Sequence, residues 1–273
     1  GLIGGSYAKA LTKQGFSVRA VTKEQADIAY AVREGFLAGG STEAEPALFA
    51  WADLVVLALY PHTLLAWAEE NAHLLTPGTL VTDVTGVKGG IVDRMQALMP
   101  EGVEFIAAHP MAGREKCGVQ HSDDSVFRGA NYIVVPTDRN TPEAIALCVR
   151  LGELLGFHRI SRLSVGEHDR MIAFLSQLTH CIAVALMTCK ESRHLVDYTG
   201  DSFRDLTRIA KINENMWTEL FLWNREELLS QMDLFIAHFA KLRDALAQGD
   251  EETMKDMMRL STERRRYFDK KPD

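Results

Sequence analysis

The chain has 273 residues, 47% of them hydrophobic and 25% charged, which fits one large or two ordinary globular domains. Its formal net charge of −7 at pH 7 disfavours nucleic acid or an anionic membrane as the main partner, and still allows a local basic pocket for an anionic small molecule. Cys117, Cys148, Cys181 and Cys189 form no C-x-x-C pair and no zinc-spaced cluster with histidine. They are therefore expected as free thiols in a reducing, cytoplasmic setting, with no metal site. No apolar run reads as long enough to span a membrane.

The chain opens in mid-motif. Gly1, Leu2, Ile3 and Gly4, followed by Gly5 and Ser6, read as the second half of a G-x-G-x-x-G fingerprint. Its glycines let backbone approach a pyrophosphate, which then sits at a helix N-terminus. Such a turn follows a strand, so about ten further residues are expected before Gly1. A helix over 4–14, closed by Gly15, and a strand over 16–21 come next. An NAD site usually places Asp or Glu at the tip of that strand. Here Thr22 and Lys23 stand there, and Glu24 comes a position or two late. Thr22 can hydrogen-bond a 2′-phosphate and Lys23 can neutralise it, so NADP is favoured over NAD.

A helix is expected over 24–34. Residues 54–59 form an unbroken apolar run, the pattern of a strand buried on both faces of a parallel sheet. Helices are expected over 63–75, 88–99 and 142–155, and strands over 80–83, 105–108, 132–135 and 158–163. Asp83 ends one of these strands in the cofactor crevice. Thr85, just beyond it, offers a hydroxyl to substrate or nicotinamide. Lys88 reads either as a charge near the site or as a surface lysine at a helix start. The strand over 105–108 delivers His109 to its carboxyl end, where open α/β sheets bind ligands and where a histidine can take a proton near neutral pH. A histidine satisfied in a turn is the plainer alternative.

Strand and helix alternate throughout this part, which argues for a parallel, doubly wound α/β sheet. From about Val165 the strand signals stop, and helical periodicity runs over 168–193, 203–212, 215–248 and 250–267. The expected domains are therefore 1–163 and an all-helical 164–273, packed closely because no Gly/Ser linker divides them. In the helical part Ser176 and His180 are four apart and share a face, as do Asp205 and Arg208, three apart; Trp217 and Trp223 follow. An arginine so placed suits a carboxylate, because its planar guanidinium makes bidentate bonds. An Asp–Arg surface pair beside core aromatics is the alternative reading.

Four segments carry a family resemblance. They are the opening glycine turn; His109-Pro110-Met111-Ala112-Gly113; His168-Asp169 with Ser176-Gln177-Leu178-Thr179-His180; and the run from Phe203 to Ala210 that holds Asp205 and Arg208, with Met216-Trp217. In this order they resemble the prephenate/arogenate dehydrogenases of tyrosine biosynthesis. The resemblance implies a Rossmann-type domain followed by a helical domain that builds a homodimer. It implies that His109 is the catalytic histidine that takes the proton of the substrate's ring hydroxyl. It implies that Arg208 binds a substrate carboxylate, that His180 and Ser176 belong to an active-site helix, and that Asp205 and Trp217 shape the site. Many relatives carry Gly-Ser where this chain has Thr85-Gly86, so Thr85 would stand in for that serine. Many read Ser-His-Leu-Pro-His where Gln177 and Thr179 occur here. Two other readings remain: a β-hydroxyacid dehydrogenase using Lys190 as acid/base, and a non-catalytic NADP-binding redox sensor.

Overall fold

The computed structural model describes residues 1–113, 116–191 and 193–269; Arg114 and Glu115, which follow the His109 segment, lie outside them. The first helix, α1 (Leu2–Lys13), is closed by Gly15 at φ +88°, as the glycine signal predicts. It leads to β1 (Arg19–Val21), α2 (Gln25–Arg33) and β2 (Gly39–Ser41), which pairs with β1 in parallel. The short α3 (Pro46–Phe49) precedes β3 (Leu54–Leu57), α4 (Pro61–Asn71), β4 (Leu80–Asp83), α5 (Val92–Leu98) and β5 (Glu104–Pro110). Then come β6 (Asn131–Val135), α6 (Pro142–Leu154) and β7 (Arg159–Arg162).

Strands β3 to β7 form one sheet in chain order, parallel except where β5 meets β6 antiparallel. The reason lies in the connection. A parallel pair needs a crossover, usually a helix, but between β5 and β6 the described residues form only two 3₁₀ turns, Val119–His121 and Asp124–Phe127. The pair β1–β2 stands as a separate sheet, since among the described residues no strand joins β1 to β3.

Successive strand residues point to opposite faces, and both faces of the larger sheet are apolar. Phe105, Ala107, Ile133 and Val135 pack with Val81, Ile91 and Met95 on one side. Ile106, Ala108, Tyr132 and Val134 pack with Tyr7, Phe127 and Leu151 on the other. This double burial is why the strands read as continuous apolar runs.

Helix α7 (Val165–Ile172) starts at a capping box between Ser164 and Glu167. A π-type turn over Ala173–Gln177 links it to α8 (Leu178–Thr188). The whole stretch Val165–Thr188 is long and apolar enough, by length and composition, to cross a membrane, which corrects the expectation that no run reaches that length. Its His168, Asp169 and Gln177 are nevertheless buried among polar partners described below. Next come α9 (Asp201–Thr207), a 3₁₀ turn over Arg208–Ala210 and α10 (Glu214–Trp223). The expected single helix over 215–248 is broken at Asn224, whose side chain turns inward to two buried acceptors instead of continuing the helix surface.

By compactness the chain divides into Gly1–Asn224 and Arg225–Asp273. The second unit holds α11 (Arg225–Gln248) and α12 (Glu251–Arg265), joined through Gly249 at φ +67°.

Candidate active site

The loop after β4 is built on a buried ion pair. Lys88 Nζ lies 2.6 Å from Asp83 Oδ2, and both side chains are wholly buried. Removing two charges from water costs several kcal/mol per ion, so such a pair persists only when its other hydrogen-bonding capacity is met. Lys88 meets it by donating also to Thr85 Oγ1 at 3.1 Å and to the Ala108 carbonyl at 2.7 Å. Asp83 Oδ1 accepts the Ala108 N–H at 3.0 Å, and Oδ2 accepts the Thr85 N–H at 3.0 Å. The pair thus ties the β4 loop to β5 one residue before His109. Asp83, expected on the cofactor, has its oxygens committed to this anchor. Lys88 is neither a surface lysine nor a free charge. Burial draws its pKa below the usual lysine value, against the pull of Asp83. The Thr85 hydroxyl also turns inward, onto Asp83 and the Val87 carbonyl.

His109 is the penultimate residue of β5 and only partly buried. Its Nδ1 is 2.9 Å from His168 Nε2, and His168 Nδ1 is 2.7 Å from Asp169 Oδ1. Loss of surrounding water, reinforced by His168 and Lys88, holds the His109 pKa well below 6.5. His109 is therefore a neutral base at neutral pH. Gly86 lies beside it, and a Cβ there would stand 3.9 Å from His109 Cε1 and 3.5 Å from Leu220 on α10.

The helical side of the crevice converges on the same place. Gln177, fully buried in the π-type turn, donates to the Leu220 carbonyl at 3.0 Å. Asn224 donates to Gln177 Oε1 at 2.7 Å and to the Asp169 carbonyl at 2.9 Å. Gln177 thus clamps α10 to the helix that carries Asp169. One turn before Leu220, Trp217 stacks on His180 with ring centroids 3.7 Å apart. The Ser176 carbonyl, rather than its hydroxyl, faces His180 Nδ1 at 2.8 Å. The 3₁₀ turn of Arg208 packs against α8, the helix of His180, and Arg208 and Asp205 are both exposed. Lys190 is exposed past the end of α8.

At the cofactor end, Gly1 is the N-cap of α1 and supplies no side-chain cap to its first backbone N–H groups, the groups that bind an anion at a helix N-terminus. A Cβ on Gly4 would come within 3.1 Å of Ala58, just past the tip of β3. Thr22 and Lys23 follow the tip of β1, where the Thr22 N–H donates to the Ser41 carbonyl. These features fit a dinucleotide. Among the described residues no group of three His, Cys, Asp or Glu is placed to hold a metal ion.

Sequence reading identified His109, His180 and Trp217, and the structure brings the last two into direct contact. It assigned no role to His168, Asp169 or Asn224. The adjacency of His168 and Asp169 at a helix start was the available signal, but their contact with His109 spans 59 positions.

Comparison with known proteins agrees with this geometry. Residues 7–160 match the family model for the prephenate dehydrogenase nucleotide-binding domain, and 164–260 that for the prephenate dehydrogenase dimerization domain. A prephenate dehydrogenase of Bacillus subtilis is 29% identical over 270 residues, covering 93% of this chain and 70% of that protein. A cyclohexadienyl dehydrogenase of Zymomonas mobilis is 30% identical over 220 residues, covering 78% of this chain and 74% of that protein. The crystal structure of prephenate dehydrogenase from Aquifex aeolicus, in complex with hydroxyphenyl propionate and NAD+, superposes with a TM-score of 0.88 at 28% identity. That match covers 98% of this chain and 95% of the other. With both domain models matched in order across nearly the whole chain, the protein belongs to the prephenate dehydrogenase family.

Proposed function

We propose that the protein catalyses the NAD(P)-dependent oxidative decarboxylation of prephenate to 4-hydroxyphenylpyruvate, with arogenate as the alternative substrate. The observation that carries this reading is His109 at the end of β5, backed by the His168–Asp169 pair and held neutral by loss of surrounding water, in a chain of this family. His109 takes the proton of the ring hydroxyl. The bound nicotinamide supplies the hydride acceptor for the carbon that carries that hydroxyl. Loss of the ring carboxylate as CO₂ leaves its electron pair to aromatise the ring, and His109 returns the proton to the phenolic oxygen. Arg208 holds a substrate carboxylate, and His180 with Trp217 forms the wall against the ring. Thr85 serves the reaction by supporting Lys88 and the loop, since its hydroxyl is turned inward. Gly1 to Gly4 would hold the pyrophosphate. Thr22 and Lys23, with no carboxylate at the β1 tip, favour NADP over NAD.

The helical region is proposed to form a homodimer, and the four free cysteines agree with a reducing, cytoplasmic setting. Lys190, the base that the hydroxyacid-dehydrogenase reading requires, lies beyond the end of α8.

The deciding experiment is reduced-cofactor formation with prephenate and with arogenate, each paired with NADP and with NAD. Turnover of prephenate with NADP is the expected result. Turnover with NAD alone overturns the cofactor preference. No turnover with any pair, in folded protein that binds cofactor, overturns the enzymatic reading in favour of a redox sensor.

A further inference from the structure

Which ring nitrogen of His109 faces the substrate is fixed by what stands behind the other. Asp169 Oδ1 accepts the Lys88 backbone N–H at 2.9 Å, and Oδ2 accepts that of Gly89 at 2.6 Å. Glycine at 89 leaves the carboxylate room, because a Cβ there would lie 2.8 Å from Oδ2 and displace it. With both oxygens facing donors, Asp169 is a carboxylate and can only accept. His168 Nδ1, 2.7 Å from Oδ1, therefore carries a hydrogen. A neutral imidazole has one N–H, so His168 Nε2 is an acceptor. It stands 2.9 Å from His109 Nδ1, which must then be the protonated nitrogen of His109.

We propose that His168 and Asp169 are positioning residues that hold His109 in its Nδ1–H tautomer, so that Nε2 is the nitrogen that takes the proton of the substrate hydroxyl. The proposal rests on the reading of His109 as the base. It extends to this site the logic by which a carboxylate orients a histidine in hydrolase triads, here through a second histidine. The substrate O–H bond breaks and an Nε2–H bond forms. The imidazolium so created donates through Nδ1 to His168 Nε2, and the Asp169 carboxylate lies behind that ring. The proton then returns to the phenolic oxygen, and the pair ends as it began.

The surroundings support a fixed orientation. His168 is wholly buried, and the two rings meet at 58°. The Asp169 backbone is held from α10 by Asn224. Among the described residues, the other charged groups facing the pair are Lys88 and Asp83 of the β4 loop. Lys88 opposes protonation of both rings, whereas Asp169 and Asp83 favour it at His168. Without the carboxylate, the lysine would leave the new imidazolium uncompensated.

The test is direct reading of the tautomers. Protein labelled with ¹⁵N-histidine, at about pH 8 where both rings are neutral, gives ring signals assigned by their loss in His109→Asn and His168→Leu. Both rings are expected as Nδ1–H with a bare Nε2. His168→Leu, which removes the acceptor, is expected to lower kcat about 10²-fold, with substrate KM and cofactor Kd changed less than about threefold. His168→Gln keeps an oxygen acceptor for His109 with its amide nitrogen towards Asp169, and is expected to stay within about tenfold of wild type. An Nε2–H signal for His109 in the wild-type protein overturns the proposal. So does an unchanged kcat in His168→Leu, or a Gln variant no better than Leu. Should His168→Leu not fold, the wild-type spectrum and His168→Gln decide. Absent turnover in a protein whose rings show the expected tautomers rejects the proposed function and leaves the orientation intact.

Discussion

At the scale of single residues, the site separates binding from chemistry. In the proposed reaction His109 would act only as the proton moves, so His109→Asn is expected to lower kcat by about 10²–10⁴ with little change in KM. Arg208 would hold a carboxylate throughout, so Arg208→Ala should mainly raise KM; steady-state kinetics showing the reverse pattern would exchange the two roles. Acidity gives a second check. The pKa values of His109 and His168 are both held below 6.5, chiefly by burial. The acid limb of kcat/KM is therefore expected below that value, and a limb at or above it would mean that His109 is more hydrated than its packing implies. The same shifts have a stability sign. On acidification the unfolded chain binds protons first, so the stability contributed by the neutral pair is complete above about 6.5 and is lost as pH falls through the lower folded values. His109 was legible in the sequence because a polar residue closing an apolar strand breaks the pattern. The burial of Lys88 was not, because a lysine at a loop end reads as solvated until its partners Asp83, Thr85 and Ala108 are seen around it.

At the scale of elements, the loop after β4 fixes the geometry of the crevice. Replacing Lys88 by Met leaves Asp83 buried without its counter-charge, which is expected to cost about 3–5 kcal/mol. Urea unfolding measures this. Adding Asp83→Asn should recover part of the loss, since the uncompensated charge is then removed; a double variant no more stable than the single one would refute the ion-pair account. Most elements around this loop were legible, because β3 to β6 carry apolar residues on both faces and α6 begins at Thr141 and Pro142, a strong start signal. Three features were not. The antiparallel pairing of β6 depends on a connection without a helix. The π-type turn over Ala173–Gln177 leaves no mark in a periodic apolar stretch. The end of α10 at Trp223 depends on where the Asn224 side chain finds acceptors, and those lie 47 and 55 positions away.

At the scale of the whole molecule, the second unit poses a question of apolar surface. Its two helices, α11 and α12, pack on each other, yet Leu229, Leu234, Phe235, Ile236, Phe239 and Leu246 on α11 remain exposed in the single chain. Scattered exposed apolar residues are ordinary, but so many on one helix mark a surface that is covered in use. The family model that matches 164–260 describes a dimerization domain, and the proposed homodimer would cover this surface with a second copy of the chain. The protein is accordingly expected to sediment at twice its 30.4 kDa chain mass at micromolar concentration. Phe239, with 63% of its surface exposed in the chain alone, is the sharpest probe. A Phe239→Glu variant would carry a charge into a dry interface, where burying an unpaired carboxylate is prohibitive. It should shift the population towards monomer, and because partner binding stabilises by mass action, its melting temperature should lose the dependence on protein concentration that the wild type shows. A wild-type protein that sediments as a monomer, with a melting temperature independent of concentration, would refute the dimer. The apolar face of α11 would then need a different partner.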